Sequence, residues 1–159
     1  MDLTIRPATL DDLPLIASLV RELAAYERLA EQAMASEADF AASLFGPVPR
    51  AHALIVEADG QPAGFALYFY NFSTFLGRPG LYIEDVFIRP EFRRLGLGKA
   101  VFRYLARKAV EENCGRLEWW VLDWNEPAIR FYRGLGAEPM YGWTVQRLTG
   151  EALRAVAEG

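Results

Sequence analysis

Apolar positions recur along this chain in two periods, and the changes between them mark its elements. Leu3-Thr4-Ile5-Arg6 alternates as a short strand. Leu13, Ile16, Ala17, Val20, Leu23 and Ala24 then form one helical face, and Thr9 with Asp12 three residues on gives the helix a capping-box start. Ser36 predicts the cap of a second, short helix carrying Phe40 and Leu44, closed by Gly46-Pro47. Residues 53–58 and 63–70 are strand-like runs joined through Asp59-Gly60, a hairpin signal. Residues 71–80 are expected to be a loop and 81–88 a buried strand. Val101, Phe102, Leu105, Ala109 and Val110 return to helical spacing. A strand is expected over 116–122, a short helix from about Pro127 to Leu135, a last strand over 141–148, and a tail helix capped by Thr149. This order predicts one domain over 1–159, an α/β fold with a mixed sheet.

Bulk properties narrow the function classes. The chain has 159 residues, 52% hydrophobic and 24% charged, the composition of an ordinary globule. A net charge of −4 argues against a general nucleic-acid binder, which needs a basic face. One cysteine, Cys114, allows neither an intrachain disulfide framework nor a cysteine zinc site, and one histidine, His52, cannot build a multi-histidine metal site. No metal is therefore expected. The N-terminus carries Asp2 and Arg6 and lacks a signal-peptide core, and no run of 18 uncharged apolar residues occurs, so a cytoplasmic protein without a membrane partner is expected.

Between the strand ending at Ile88 and the following helix stands Arg93-Arg94-Leu95-Gly96-Leu97-Gly98-Lys99. A basic, two-glycine turn opening a helix reads as an anion cradle, since the backbone can approach a ligand and the first-turn N–H groups are unpaired and at the positive end of the dipole; a flexible basic turn with no ligand is the other reading. A P-loop would need four residues between its glycines, and a dinucleotide fingerprint a third glycine where Val101 stands. The remaining pattern is Arg-x-x-Gly-x-Gly. With Ile5-Arg6-Pro7-Ala8-Thr9, Tyr26-Glu27, Glu31-Gln32, Ile83-Glu84-Asp85, Trp124-Asn125-Glu126-Pro127 and Phe131-Tyr132, it makes a series that spans Ile5 to about Trp143. The series resembles the spermidine/spermine (diamine) and thialysine N-acetyltransferase branch of the GNAT superfamily.

That resemblance implies a mostly antiparallel central sheet flanked by helices, with a splayed strand pair at an acetyl-CoA site. It implies that acetyl passes directly from acetyl-CoA to a primary amine of a small cationic acceptor in a ternary complex. A protein or peptide amine acetyltransferase and a non-catalytic CoA-binding sensor are the alternatives. It implies a homodimer as well.

Glu84 and Asp85 interrupt an apolar strand. Adjacent strand residues point to opposite faces, so at least one is expected to be desolvated and raised in pKa, as a base for an amine must be. A structural carboxylate satisfied by backbone N–H groups is the other reading. The resemblance makes Glu84 the base, places Asp85 near the acceptor, and makes Tyr132 the general acid, where packing alone would also account for an aromatic. Asn125 reads as a helix cap, to which the resemblance adds contact with the coenzyme or reacting centre. It further implies that the stretch Val86-Phe87-Ile88, through the backbone of Val86 and Ile88, lies along the pantetheine arm. Arg93, Arg94, Leu95, Gly96, Leu97, Gly98 and Lys99 then hold the pyrophosphate, and Asn125, Pro127 and Tyr132 complete the coenzyme site. Glu27 and Trp143 join Glu84 and Asp85 on the acceptor side, where Glu27, like Glu31, also reads as a solvated helix-end glutamate. Met140 and Tyr141 stand where polyamine-preferring members of the branch carry two glutamates, which points away from spermidine and spermine.

Overall fold

The computed structural model describes residues 1–159, which form two compact units, Met1–Leu122 and Asp123–Gly159. The first unit contains β1 (Leu3–Pro7), α1 (Leu13–Tyr26), α2 (Glu37–Phe45), β2 (His52–Ala58), β3 (Gln61–Ser73), β4 (Arg78–Ile88), α3 (Leu97–Glu111) and β5 (Leu117–Trp119). The strands form one sheet in the order β1-β2-β3-β4-β5, antiparallel except for the β4–β5 pair. The fold is thus α/β, with a five-stranded mixed sheet flanked by helices.

Two helices cover one face of the sheet. Ile16, Leu19 and Leu23 of α1 and Leu44 of α2 pack with Ala53 and Ile55 of β2, Phe65 of β3 and Phe87 of β4. Burial of these apolar side chains is the main stabilising term. On α3, Leu97, Val101, Phe102, Leu105 and Ala109 are buried, and Phe102 meets Trp119 edge-on with ring centroids 4.8 Å apart. Phe65 is 0% exposed at the centre of the α1 cluster. Phe65→Ala is expected to cost about 3–5 kcal/mol, read as a lower urea midpoint at unchanged m-value.

Charged clamps tie the helices to the strands. Arg6 holds Asp12 through two bonds of 2.8 and 2.9 Å and also reaches Glu57. This arginine of the amino-terminal motif is therefore a fold residue, joining β1, β2 and the start of α1. Arg89, just beyond β4, binds Glu22 of α1 at 2.9 and 3.1 Å and the Pro62 carbonyl at 3.0 Å.

The elements depart from the expected ones at three places. Residues 71–80 are mostly strand: Asn71, Phe72 and Ser73 pair with Gly80, Pro79 and Arg78, leaving only a tight turn. Pairing extended the hairpin past the point where the polar and glycine-rich composition suggested a loop. The strand expected over 116–122 shrinks to Leu117–Trp119, because its partner β4 bulges just after Ile83 and stops offering a ladder. The strand expected over 141–148 does not form; residues 143–149 have no regular structure, and the sheet contains no sixth strand. Alternating apolar residues make a strand only where another strand can satisfy the backbone.

The second unit holds α4 (Glu126–Gly134) and α5 (Gly150–Glu158). Asn125 is 7% exposed and accepts a hydrogen bond from the Ala128 N–H at 3.4 Å, so it caps α4, and Pro127 sits in the first turn.

Candidate active site

The geometry that matters most is a bulge. Leu67 of β3 pairs with Asp85, but its neighbour Tyr68 pairs with Ile83, so Glu84 is the extra residue on β4. Two hydrogen bonds show the consequence. Leu81 N–H donates to the Arg116 carbonyl on the β5 side at 3.0 Å, whereas Arg89 N–H donates to the Ala63 carbonyl on the β3 side at 2.8 Å. In a regular strand, two odd-numbered residues would face the same neighbour. The extra residue reverses that parity, so beyond it Val86 and Ile88 present their backbone groups to the β5 side. There β5 has already ended: its pairing covers only Leu81, Tyr82 and Ile83. The result is a splayed strand pair with an open backbone edge at Val86 and Ile88.

The same bulge gathers carboxylates. Asp85 is paired opposite Leu67 and therefore shares the face of α1, while Glu84 is exposed. Desolvation, then the charges of Glu84 and Glu27, push the Asp85 carboxyl up to about 7. Glu27, immediately after α1, is raised for the same reasons, by burial first and then by Glu84. Three acidic groups thus converge at the end of α1 beside the open strand edge. A cation placed among them would relieve their mutual repulsion.

Past β4 the chain turns through the basic loop into α3. Gly96 is the residue before the helix and has φ of 82°, a left-handed conformation that favours glycine. Ala100 N–H bonds to the Gly96 carbonyl, so the preceding N–H groups of Leu97, Gly98 and Lys99 begin the helix without intrahelical acceptors. Arg94 also lies in the left-handed region, at φ of 65°, and Arg94, Leu95 and Lys99 are exposed. Arg93 has contacts within the protein as well. Its Nε donates to the Ile88 carbonyl at 2.8 Å, and its guanidinium lies 4.7 Å from the Tyr26 ring centroid and 5.6 Å from that of Phe87. It braces the loop against β4 and the end of α1, a role that spacing alone did not suggest.

Within the second unit, Tyr132 stands on α4, partly buried, with its ring 5.6 Å from that of Phe131. Trp143 is 85% exposed, and Met140 and Tyr141 are exposed as well. The aromatic stretch around the β3–β4 turn is not core. Tyr70 donates its hydroxyl to Glu112 at 2.8 Å, and Phe72, Phe75 and Leu76 are exposed. His52 opens β2 opposite Tyr68, with the two rings tilted and 5.3 Å apart. No helix is long and apolar enough to cross a membrane.

Comparison with known proteins agrees with this geometry. Residues 17–137 match the model of the acetyltransferase (GNAT) family. The chain is 38% identical to a Bos taurus thialysine N-epsilon-acetyltransferase, with 96% of each chain covered. It is 34% identical to an Arabidopsis thaliana L-ornithine N5-acetyltransferase, covering 96% of this chain and 86% of the relative. Among solved structures, an integron cassette protein from the mobile metagenome of V. cholerae superposes with a TM-score of 0.80 at 26% identity, over 100% of this chain and 99% of the other. The open strand edge, the glycine-opened helix and these likenesses lead to one conclusion: the chain belongs to the GNAT acetyltransferase family, and it is an N-acetyltransferase of the thialysine and spermidine/spermine branch.

Proposed function

We propose that the protein transfers acetyl from acetyl-CoA to the side-chain amine of a small cationic acceptor, a thialysine-, lysine- or ornithine-like amino acid or a short diamine, by direct attack in a ternary complex. The observation that carries this reading is the convergence of Glu27, Glu84 and Asp85 beside the open edge of β4. The names of the relatives, a thialysine and an ornithine acetyltransferase, support the class. Met140 and Tyr141 in place of an acidic pair argue against an extended polyamine, which needs negative charge along its length.

In this reading the acceptor arrives as an ammonium ion and is held by Glu27 and Glu84. It must lose a proton before its nitrogen can attack. Transfer from an amine of pKa ~10.4 to an ordinary carboxylate near 4 costs about 8–9 kcal/mol, whereas transfer to a group near 7 costs about 4–5. The Glu84–Asp85 pair therefore serves as the base, with Glu84 facing the amine and Asp85 supplying the raised pKa that lets the proton settle. The pantetheine arm extends the sheet along Val86 and Ile88, much as a peptide adds to a strand edge. The N-terminus of α3 with Arg94 and Lys99 holds the pyrophosphate, and Arg93 steadies that loop. Asn125 orients the start of α4, and Tyr132 returns a proton to the departing thiolate, whose basicity is close to that of a phenol. Holding amine and thioester together supplies about 7–11 kcal/mol of the barrier, so no covalent intermediate is needed. The likeness to the branch supports a homodimer.

The test is acetyl-CoA-dependent thiol release against thialysine, lysine, ornithine, putrescine, spermidine and a basic peptide. Selective turnover of the amino-acid amines or putrescine is the expected result. Turnover of the peptide alone would replace the small acceptor with a protein substrate, and acetyl-CoA binding without any turnover would indicate a sensor. Glu84→Gln is expected to lower kcat at least tenfold and leave acetyl-CoA affinity within twofold; an unchanged kcat would remove Glu84 from the base.

A further inference from the structure

A hollow lies on the face of the sheet away from α1. It is half-open, with a volume of about 450 Å³, between β1, which contributes Ile5, and one stripe of α3. The stripe runs through Ala100, Arg103, Tyr104, Arg107, Lys108 and Glu111, a spacing of three and four that puts all six on one side of the helix. Three of the six are cations. Arg103 and Arg107 are neighbours one turn apart, and neither has a carboxylate within ion-pair distance. Two like charges at that spacing destabilise a helix by a few tenths of a kcal/mol. Lys108 is shared with Glu112 at 3.5 Å and lies 6.0 Å from the Tyr68 ring centroid, so it is held at the wall of the hollow. The lining thus sets three cations against one carboxylate, Glu111, in a chain whose net charge is −4.

We propose that this hollow is an anion-binding site separate from the coenzyme cradle, taking a small molecule with clustered anionic oxygens. Two guanidinium forks side by side suit a phosphate monoester or a di- or tricarboxylate, since each fork can bind two oxygens. The phenol of Tyr104 adds a donor, and Ile5 and Ala100 add apolar surface for the body of the ligand. The volume lies in the range of small-molecule sites, about 300–1,000 Å³. Ala100, next to Lys99, borders the cradle, whereas Arg103 and Arg107 follow Gly98 by five and nine residues, which sets the guanidinium end of the hollow about 7–14 Å further along the helix.

The test is calorimetric titration of the acetyl-CoA-saturated protein, in which the cradle is already filled, with inorganic phosphate and separately with citrate. Sodium chloride at matched ionic strength is the control. Saturable binding of at least one probe with a submillimolar Kd is expected, and the tighter of the two tells whether tetrahedral phosphate or planar carboxylates are preferred. Arg103→Ala/Arg107→Ala is expected to weaken that binding at least tenfold while the circular dichroism spectrum and acetyl-CoA affinity stay unchanged. The proposal is overturned by heats that the salt control reproduces, by equal binding in the double variant, or by phosphate binding that acetyl-CoA abolishes.

Discussion

Asp85→Asn is expected to lower kcat by about 10²–10⁴-fold, the usual contribution of a positioned proton acceptor, and to make the protein more stable at alkaline pH. The two effects share one cause. Folding moves the Asp85 carboxyl from the ordinary aspartate range to about 7, first by desolvation and then through the charges of Glu84 and Glu27. Below pH ~4 the group is protonated whether the chain is folded or not, so the residue carries no charge penalty there. Between ~4 and ~7 the folded protein retains a proton that the unfolded chain releases, and stability falls as pH rises. Above ~7 the full penalty is present, at most about 4 kcal/mol. Asparagine has the same shape and no charge. Wild type and variant should therefore unfold at similar urea concentrations near pH 4, with the variant clearly more resistant at pH 8. In the wild type, kcat should rise with pH through an apparent pKa near 7, and the variant's residual rate should lack that step. A variant of normal turnover, or a stability difference independent of pH, would remove Asp85 from the proton path.

Tyr132→Phe is the second large effect. The substitution deletes one hydroxyl and keeps the ring, which is partly buried beside Phe131 on α4, so the fold and the helix should survive. If Tyr132 protonates the departing thiolate, kcat should fall by about 10²–10⁴-fold while the KM for acetyl-CoA changes little, because the bond is made only as charge develops. Thiol release and far-UV circular dichroism on the same sample separate chemistry from folding. Full activity in the phenylalanine variant would return Tyr132 to a packing role.

The two substitutions also discriminate between readings of the chain. A coenzyme-binding sensor would tolerate both without functional loss. A peptide acetyltransferase would respond to both, yet ignore the small amines. Only the small-amine enzyme is expected to lose turnover of its acceptor in each variant while still binding acetyl-CoA.

Much was readable from local pattern alone, because its causes are local. The face of α1, the Ser36 cap of α2, the Asp59-Gly60 hairpin and the strand–glycine–helix order around Gly96 follow from periodicity, capping and turn chemistry within a few residues. The basic two-glycine turn and the Glu84–Asp85 pair were visible for the same reason. Tertiary structure decided what depended on a partner elsewhere in the chain. Which of the two acids is desolvated follows from a bulge against β3, a register property that no residue of β4 announces. The shortening of β5, the lengthening of the β3–β4 hairpin and the lack of a strand over 141–148 all turn on whether a neighbouring backbone can complete the ladder. Arg93 read as one more phosphate ligand in the basic loop, and only the folded packing brought the rings of Tyr26 and Phe87, and the Ile88 carbonyl, within its reach. Spacing thus determined which chemical groups the protein possesses and the local elements that carry them. Long-range pairing determined which of those groups are buried, paired or open, since desolvation and strand register are properties of the assembled sheet and not of any segment within it.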